Sequence, residues 1–169
     1  MLYSPKWSKA KKRLKSFTCE SLCSRVDFQV INYRCAHDQL GRAVITVDKL
    51  EKLNMCTITA EKEEYYRERA IRKQLDDFNF DDRLNNLALQ EQAIYAQYDF
   101  FSALEIYFET PIEDCLKSKD ILLKILCLLD RRLGKRTLMK MNDTITNEHP
   151  LVQDFFKLRC EAENVRAAV

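Results

Sequence analysis

A chain of 169 residues, 46% hydrophobic and 32% charged with a net charge of only +2, has enough apolar material for one packed core and too little charge imbalance for a disordered chain. Two glycines and three prolines exclude collagen-like and low-complexity architectures. Gly41 and Gly134 stand too far apart to build a glycine-rich phosphate loop, so nucleotide-fold enzymology is disfavoured and no cofactor is expected.

Ser4 and Pro5 read as an N-cap and first helical residue, opening a helix to about Phe17 with Trp7, Ala10 and Leu14 on one face. From Val26 to Tyr33, Val26, Phe28 and Val30 alternate with Asp27 and Gln29 as in a half-buried strand. A turn over 37–41 leads to a partner strand over 42–48, and Leu50 to Cys56 is expected to add a third. After Thr59 the pattern turns helical and charged, with Glu63/Arg67 and Glu68/Arg72 at the i, i+4 spacing of a solvated helix. An acidic stretch over 76–82 lacks the glycine and last-position glutamate of a calcium loop and reads as a capping linker.

The second half reads as helix throughout. Leu84, Leu87, Ala88, Ile94, Tyr95 and Tyr98 share one helical face, and Phe100, Phe101, Leu104, Tyr107 and Phe108 continue a second segment from near Asp99. Thr110, Pro111, Ile112 and Glu113 form a capping-box pattern, and Asp120 starts the most apolar helix, with Gly134 expected as its C-cap. A final helix starts at Pro150, capped by His149. The expected fold is α+β in a single domain over 1–169: a basic helix and small antiparallel sheet over 1–57, then a helical part over 58–169.

The apolar run Ile121 to Leu129 contains Lys124 and is about half the length of a bilayer span; no apolar leader region follows the basic opening segment. No membrane association is expected. Seven cysteines, an odd set scattered through apolar patterns, fit a reducing compartment, so a cytoplasmic location is expected. Cys19, Cys23, Cys35 and His37 give C-x3-C and then C-x-H; the second spacing is too tight for the usual zinc knuckle, and small core fillers are the favoured reading.

Positive charge is unevenly placed. Residues 1–25 hold seven Lys or Arg and one acid, so the remainder of the chain is net acidic. Lys9, Lys11, Lys12, Arg13 and Lys15 form a footprint for an anionic partner, an acidic protein or nucleic acid. The competing reading is a solvated helix whose lysine stems cover apolar surface. Arg131, Arg132, Lys135 and Arg136 form a second cluster. Here helix-end cations offsetting a macrodipole are the favoured reading, with Asp130 free to pair with a neighbouring arginine. A catalytic alternative is a small nuclease or phosphotransfer site at His37, Asp38 and Arg42, which offers a near-neutral base, a carboxylate and a guanidinium but no evident nucleophile.

Trp7, Ser8, Lys9, Lys11 and Lys12, the turn with Tyr33, Arg34, His37, Asp38, Gly41 and Arg42, the run Ile45 to Asp48, and L-D-R-R-L-G-K-R over 129–136 together resemble a family of small uncharacterised bacterial proteins. Tyr98, Asp99 and the capping-box segment fit that pattern, whereas Leu50 and Lys52 stand where a turn residue and an acid are expected. The resemblance spans nearly the whole chain. It implies a bacterial, cytosolic, single-domain protein and carries no activity, cofactor or partner with it. The leading functional expectation is a non-enzymatic binding module.

Overall fold

The structure, a computed structural model, describes residues 7–33, 40–74 and 87–167. In chain order it runs α1 (Trp7–Phe17), β1 (Val26–Asn32), β2 (Gly41–Val47), β3 (Leu50–Cys56), α2 (Thr57–Gln74), α3 (Gln97–Glu109), α4 (Ile112–Lys117), α5 (Ile121–Leu129), α6 (Lys135–Met141) and α7 (Pro150–Glu163). The fold is α+β, as the sequence indicates. The Ser4/Pro5 helix start, the 76–82 segment, Cys35, His37 and Asp38 lie outside the described residues.

The three strands form an antiparallel meander in the order β1-β2-β3, with Val26 opposite Val47 and Asn32 opposite Gly41. Strand β2 is buried on both faces: Ala43, Ile45 and Val47 join the main core, and Val44 and Thr46 on the opposite face are covered as well. A central strand covered on both sides reads as a continuous run of β-branched residues. The β2–β3 turn is Asp48-Lys49, whose φ angles of 51° and 69° are the positive pair that a two-residue type I′ turn requires. Arg25 stands in for the missing glycine signal. Its Nε and Nη2 grip the Asp48 carboxylate at 3.0 and 2.8 Å, and its carbonyl accepts from the Asp48 amide.

Helix α5 is the centre of the core. Eight of its side chains are buried, and the exception, Lys124, reaches Glu148 at 2.5 Å. At roughly 1.5–3 kcal/mol for each fully buried Leu or Ile, this short helix holds its place by packing rather than by intrinsic helicity. Asp120 caps it by accepting from Leu122 N at 2.8 Å, as expected. Val152, Phe155 and Phe156 of α7 and Phe100, Leu104 and Tyr107 of α3 belong to the same cluster. His149 caps α7, its Nδ1 accepting from Leu151 N at 3.1 Å.

Three local expectations are corrected. The helical face assigned from Leu84 to Tyr98 is broken: 91–96 is not helical, Ala93 has φ of 57°, and Leu87 is exposed. Tyr95 is buried from that loop, donating to Asp120 at 3.1 Å. The Thr110–Glu113 capping box does not form, because Thr110 is still bound back to Ile106 O as the C-cap of α3, and Pro111 serves as N-cap of α4. Gly134 is not the C-cap of α5; that helix ends at Leu129 and Gly134 precedes α6.

One buried side chain ties the sheet to the helices. Gln97 is 6% exposed; its Nε2 donates to Asn32 Oδ1 at 3.0 Å and to Arg42 O at 3.3 Å, while its backbone N–H donates to Thr57 Oγ1 at 3.2 Å. A Cβ at Gly41 would stand 2.6 Å from Gln97 Nε2 and 2.6 Å from Ile31 O. Glycine is therefore required here for close approach. Gly41→Ala is expected to destabilise the fold by about 1–3 kcal/mol in urea unfolding, whereas Gly134→Ala, with nothing within 4 Å of its added carbon, is expected to stay within about 0.5 kcal/mol.

Candidate functional site

The two basic segments, far apart in sequence, meet at one corner. Helix α1 ends where Thr18 turns its hydroxyl back onto Leu14 O at 3.0 Å. Beyond that point the chain pairs with the segment that leaves α5: Cys19 N donates to Leu129 O at 2.8 Å, and Arg131 N to Phe17 O at 2.7 Å. Thr18 and Asp130 form an isolated antiparallel bridge.

Asp130 is fully buried and carries the corner. Its carboxylate accepts from Tyr107 OH at 2.5 Å, from Arg132 N at 2.7 Å, and from the Arg132 guanidinium through Nε at 2.9 Å and Nη2 at 2.6 Å. The hydrogen bonds that Arg132 donates to Asp130 raise its pKa further, and burial beside that carboxylate raises the Tyr107 hydroxyl. Both groups are thus locked in one protonation state. The Arg132 guanidinium lies 4.3 Å over the Phe17 ring, while Arg13 lies 4.3 Å over Phe108 and 5.8 Å from Phe17, donating to Phe108 O at 2.8 Å. Two arginines, one from each basic segment, thereby flank a single phenylalanine.

The sequence-assigned binding residues divide into two groups. Lys11 and Lys15 converge on Asp27 of β1 at 3.1 and 2.9 Å; Arg13 and Arg132 are engaged as described; Lys135 reaches Glu163 at 3.7 Å. Four of these five are paired with the protein's own acids, while Arg13 is held by a carbonyl and two rings and keeps its charge. Lys9, Lys12, Arg131 and Arg136 are exposed and pair with no acid among the described residues. The helix-dipole account fits Arg131 and Arg132, which follow the carboxyl end of α5, and fails for the other two. Lys135 and Arg136 occupy the first turn of α6, where the dipole is positive and cations are unfavourable.

Two polar residues, one buried and one half-buried, escaped sequence reasoning. Arg159 is 2% exposed inside an amphipathic helix, and its Nη2 donates to Leu133 O at 2.9 Å, bracing the loop that carries the arginines. Glu163 gathers Cys19 Sγ at 2.9 Å, Arg159 and Lys135; the Cys19 hydrogen bond foremost holds its carboxyl below the ordinary value. Nothing in the sequence signals that Cys19 faces a residue so far along the chain. A groove of about 730 Å³ opens beside this side, lined by Lys135, Met139, Asn142, Asn164 and Arg166, and no α1 residue lines it.

At the hairpin, Arg42 is held by Glu51 at 3.1 Å, and the Tyr33 hydroxyl lies 3.7 Å from Cys56 Sγ. Burial opposes the Cys56 thiolate, but Thr59 and Ile58 at the start of α2, together with Tyr33, outweigh it and lower the pKa. His37 and Asp38, on which the nuclease alternative rests, lie outside the described residues. Among the described residues no group of three or more His, Cys, Asp or Glu could hold a metal, and no helix is long and apolar enough to cross a membrane.

Fold and corner together define an α+β protein in which an N-terminal helix is stitched to the end of a buried central helix over a three-stranded meander. The chain belongs to the SF0329 protein family, whose model matches residues 6–160. No curated protein and no solved structure matches it.

Two predictions follow from this geometry. Asp130→Asn keeps the shape but removes the charge that Arg132 and Tyr107 address, and is expected to cost about 1.5–3 kcal/mol in urea unfolding. Burial works against the Asp27 carboxylate, yet the hydrogen bonds and charges of Lys15 and Lys11 prevail and hold its pKa below the ordinary value. That stabilisation is complete above an unfolded value of about 3.9 and is lost as pH falls through the lower folded value. Unfolding midpoints measured from about pH 5 downward are expected to fall less for Asp27→Asn than for the wild type, since Asp48 and Glu163 titrate in both proteins.

Proposed function

We propose that this is a bacterial, cytoplasmic, single-domain binding module, not an enzyme, which engages an anionic macromolecule through the corner where α1 meets the 131–136 segment. The carrying observation is the pair of backbone hydrogen bonds that brings the two basic segments together, Cys19 N to Leu129 O and Arg131 N to Phe17 O. What supports the reading is the division of labour among the cations. Lys11, Lys15, Arg13 and Arg132 hold the corner in shape, leaving Lys9, Lys12, Arg131 and Arg136 as the charges presented outward.

Two of these four are lysines, which act as point charges and favour long-range attraction over planar, bidentate recognition. The two arginines add forked donors for carboxylate or phosphate. Cations at the positive end of α6 are unfavourable for the isolated protein and become favourable once an anion lies against them. An acidic protein surface and nucleic acid both supply such an anion.

Binding of the full chain to polyglutamate and to duplex DNA, measured across a salt series, tests the reading. Affinity is expected to fall steeply with salt for at least one probe. Lys9→Glu with Lys12→Glu, and Arg131→Glu with Arg136→Glu, are each expected to weaken binding about tenfold or more at unchanged melting temperature. Salt-independent binding, or an undiminished affinity in both charge-reversed variants, overturns the proposal.

A further inference from the structure

We infer that the outward face of α2 is a second binding surface, built for a single strand of nucleic acid. At about 100° per residue, Ile58, Lys62, Tyr65 and Arg69 follow the i, i+4, i+7, i+11 spacing of one helical stripe, with Tyr66 and Lys73 beside it. All six are exposed. The body-facing side is equally clear: Ala60 is buried and Glu64, Arg67, Glu68 and Ile71 are half-buried. The acids of the helix keep off the outward stripe. Glu64 and Glu68 turn toward the body, Glu68 pairing with Arg72, while Glu61 and Glu63 lie on opposite sides of the stripe, about 70° and 130° from its centre. A helix that merely needed solubility would mix the two signs around its surface.

The aromatic pair decides what the face accepts. Tyr65 and Tyr66 are 56% and 52% exposed, and their rings stand edge to face with centroids 5.8 Å apart. Lys62 Nζ lies 5.8 Å from the Tyr66 centroid, and no acid among the described residues pairs with Lys62, Arg69 or Lys73. Cations therefore extend along about 16 Å of helix axis with two half-exposed rings between them. This is the combination that single-stranded nucleic acid uses, phosphates on the cations and bases on the rings. A second copy of the chain is disfavoured, because apposing two such faces sets cation against cation. A membrane surface would need more apolar side chains than Ile58 supplies on this face. An acidic peptide would leave both rings without a stacking partner.

This surface is separate from the α1 corner and does not depend on it. The test is fluorescence anisotropy of the full chain with labelled oligouridylate and oligothymidylate over a salt series. Duplex DNA, polyglutamate and anionic phospholipid vesicles are run alongside. Single-strand binding is expected to exceed binding to the three comparison probes. Tyr65→Ala with Tyr66→Ala is expected to weaken it about tenfold or more without changing the salt slope. Lys62→Glu with Arg69→Glu is expected to weaken it and to flatten the slope. All four side chains are exposed, so the melting temperature is expected to hold. Single-strand affinity unaffected by both α2 variants, or lost only in Lys9→Glu with Lys12→Glu, overturns the assignment. So does a loss of polyglutamate, duplex or vesicle binding in the α2 variants as large as their loss of single-strand binding.

Discussion

A carboxylate with no exposed surface organises the corner where α1 meets the segment leaving α5. An unpartnered ionised Asp130 would cost several kcal/mol to bury, and here the deficit is covered by a phenol, a backbone amide and a two-pronged guanidinium. Because the carboxylate needs all of them, it fixes their positions. Tyr107 locates α3, and Arg132 folds back over the segment that leaves α5. The bridge between Thr18 and Asp130 then sets where α1 ends. Removing any one donor would leave the charge short, which makes the cluster behave as a unit rather than as a sum of contacts.

That dependence explains which parts of the fold were legible in the sequence. Strands β1 and β2 and helices α1, α5 and α7 announce themselves through spacing, because each places apolar residues on a face that one hydrophobic cluster then covers. Caps with a free side-chain acceptor, Asp120 and His149, are legible for the same local reason. The failures share a different cause. Thr110 carries the right chemistry for an N-cap, but α3 and α4 abut so closely that its N–H is already bound to Ile106 O. Ile94 and Tyr95 satisfy a helical period and yet sit in a loop, since Tyr95 gains a buried hydrogen bond to Asp120 that no helix there would give it. The third strand follows the pattern, whereas its turn does not. Arg25, from the segment before β1, makes a glycine-free type I′ turn tolerable.

Charge is the property that sequence reports least well. Along α1 the cations look equivalent, and only the fold separates Lys11 and Lys15, which neutralise Asp27, from Lys9 and Lys12, which face water. The same holds within L-D-R-R-L-G-K-R. Arg131 and Arg132 are neighbours in sequence, yet one points out and the other is bound to a buried acid beneath a phenylalanine. The hidden partner in each case comes from another element: Asp27 from a strand, Phe17 from α1, Glu163 from the end of α7.

The placement of Lys135 and Arg136 carries the argument one step further. A cation in the first turn of a helix opposes the macrodipole by about 0.3–1 kcal/mol, and α6 has no acid in that turn to compensate. Glu163 relieves Lys135 across a 3.7 Å gap, and Arg136 has no such relief among the described residues. Local rules that a chain keeps elsewhere, as at Asp120 and His149, are broken here at a surface that already displays Arg131. Sequences violate local electrostatics where another requirement outweighs folding stability. The corner proposed as a binding surface is thus also the place where the chain departs from the helix-dipole rule it keeps elsewhere.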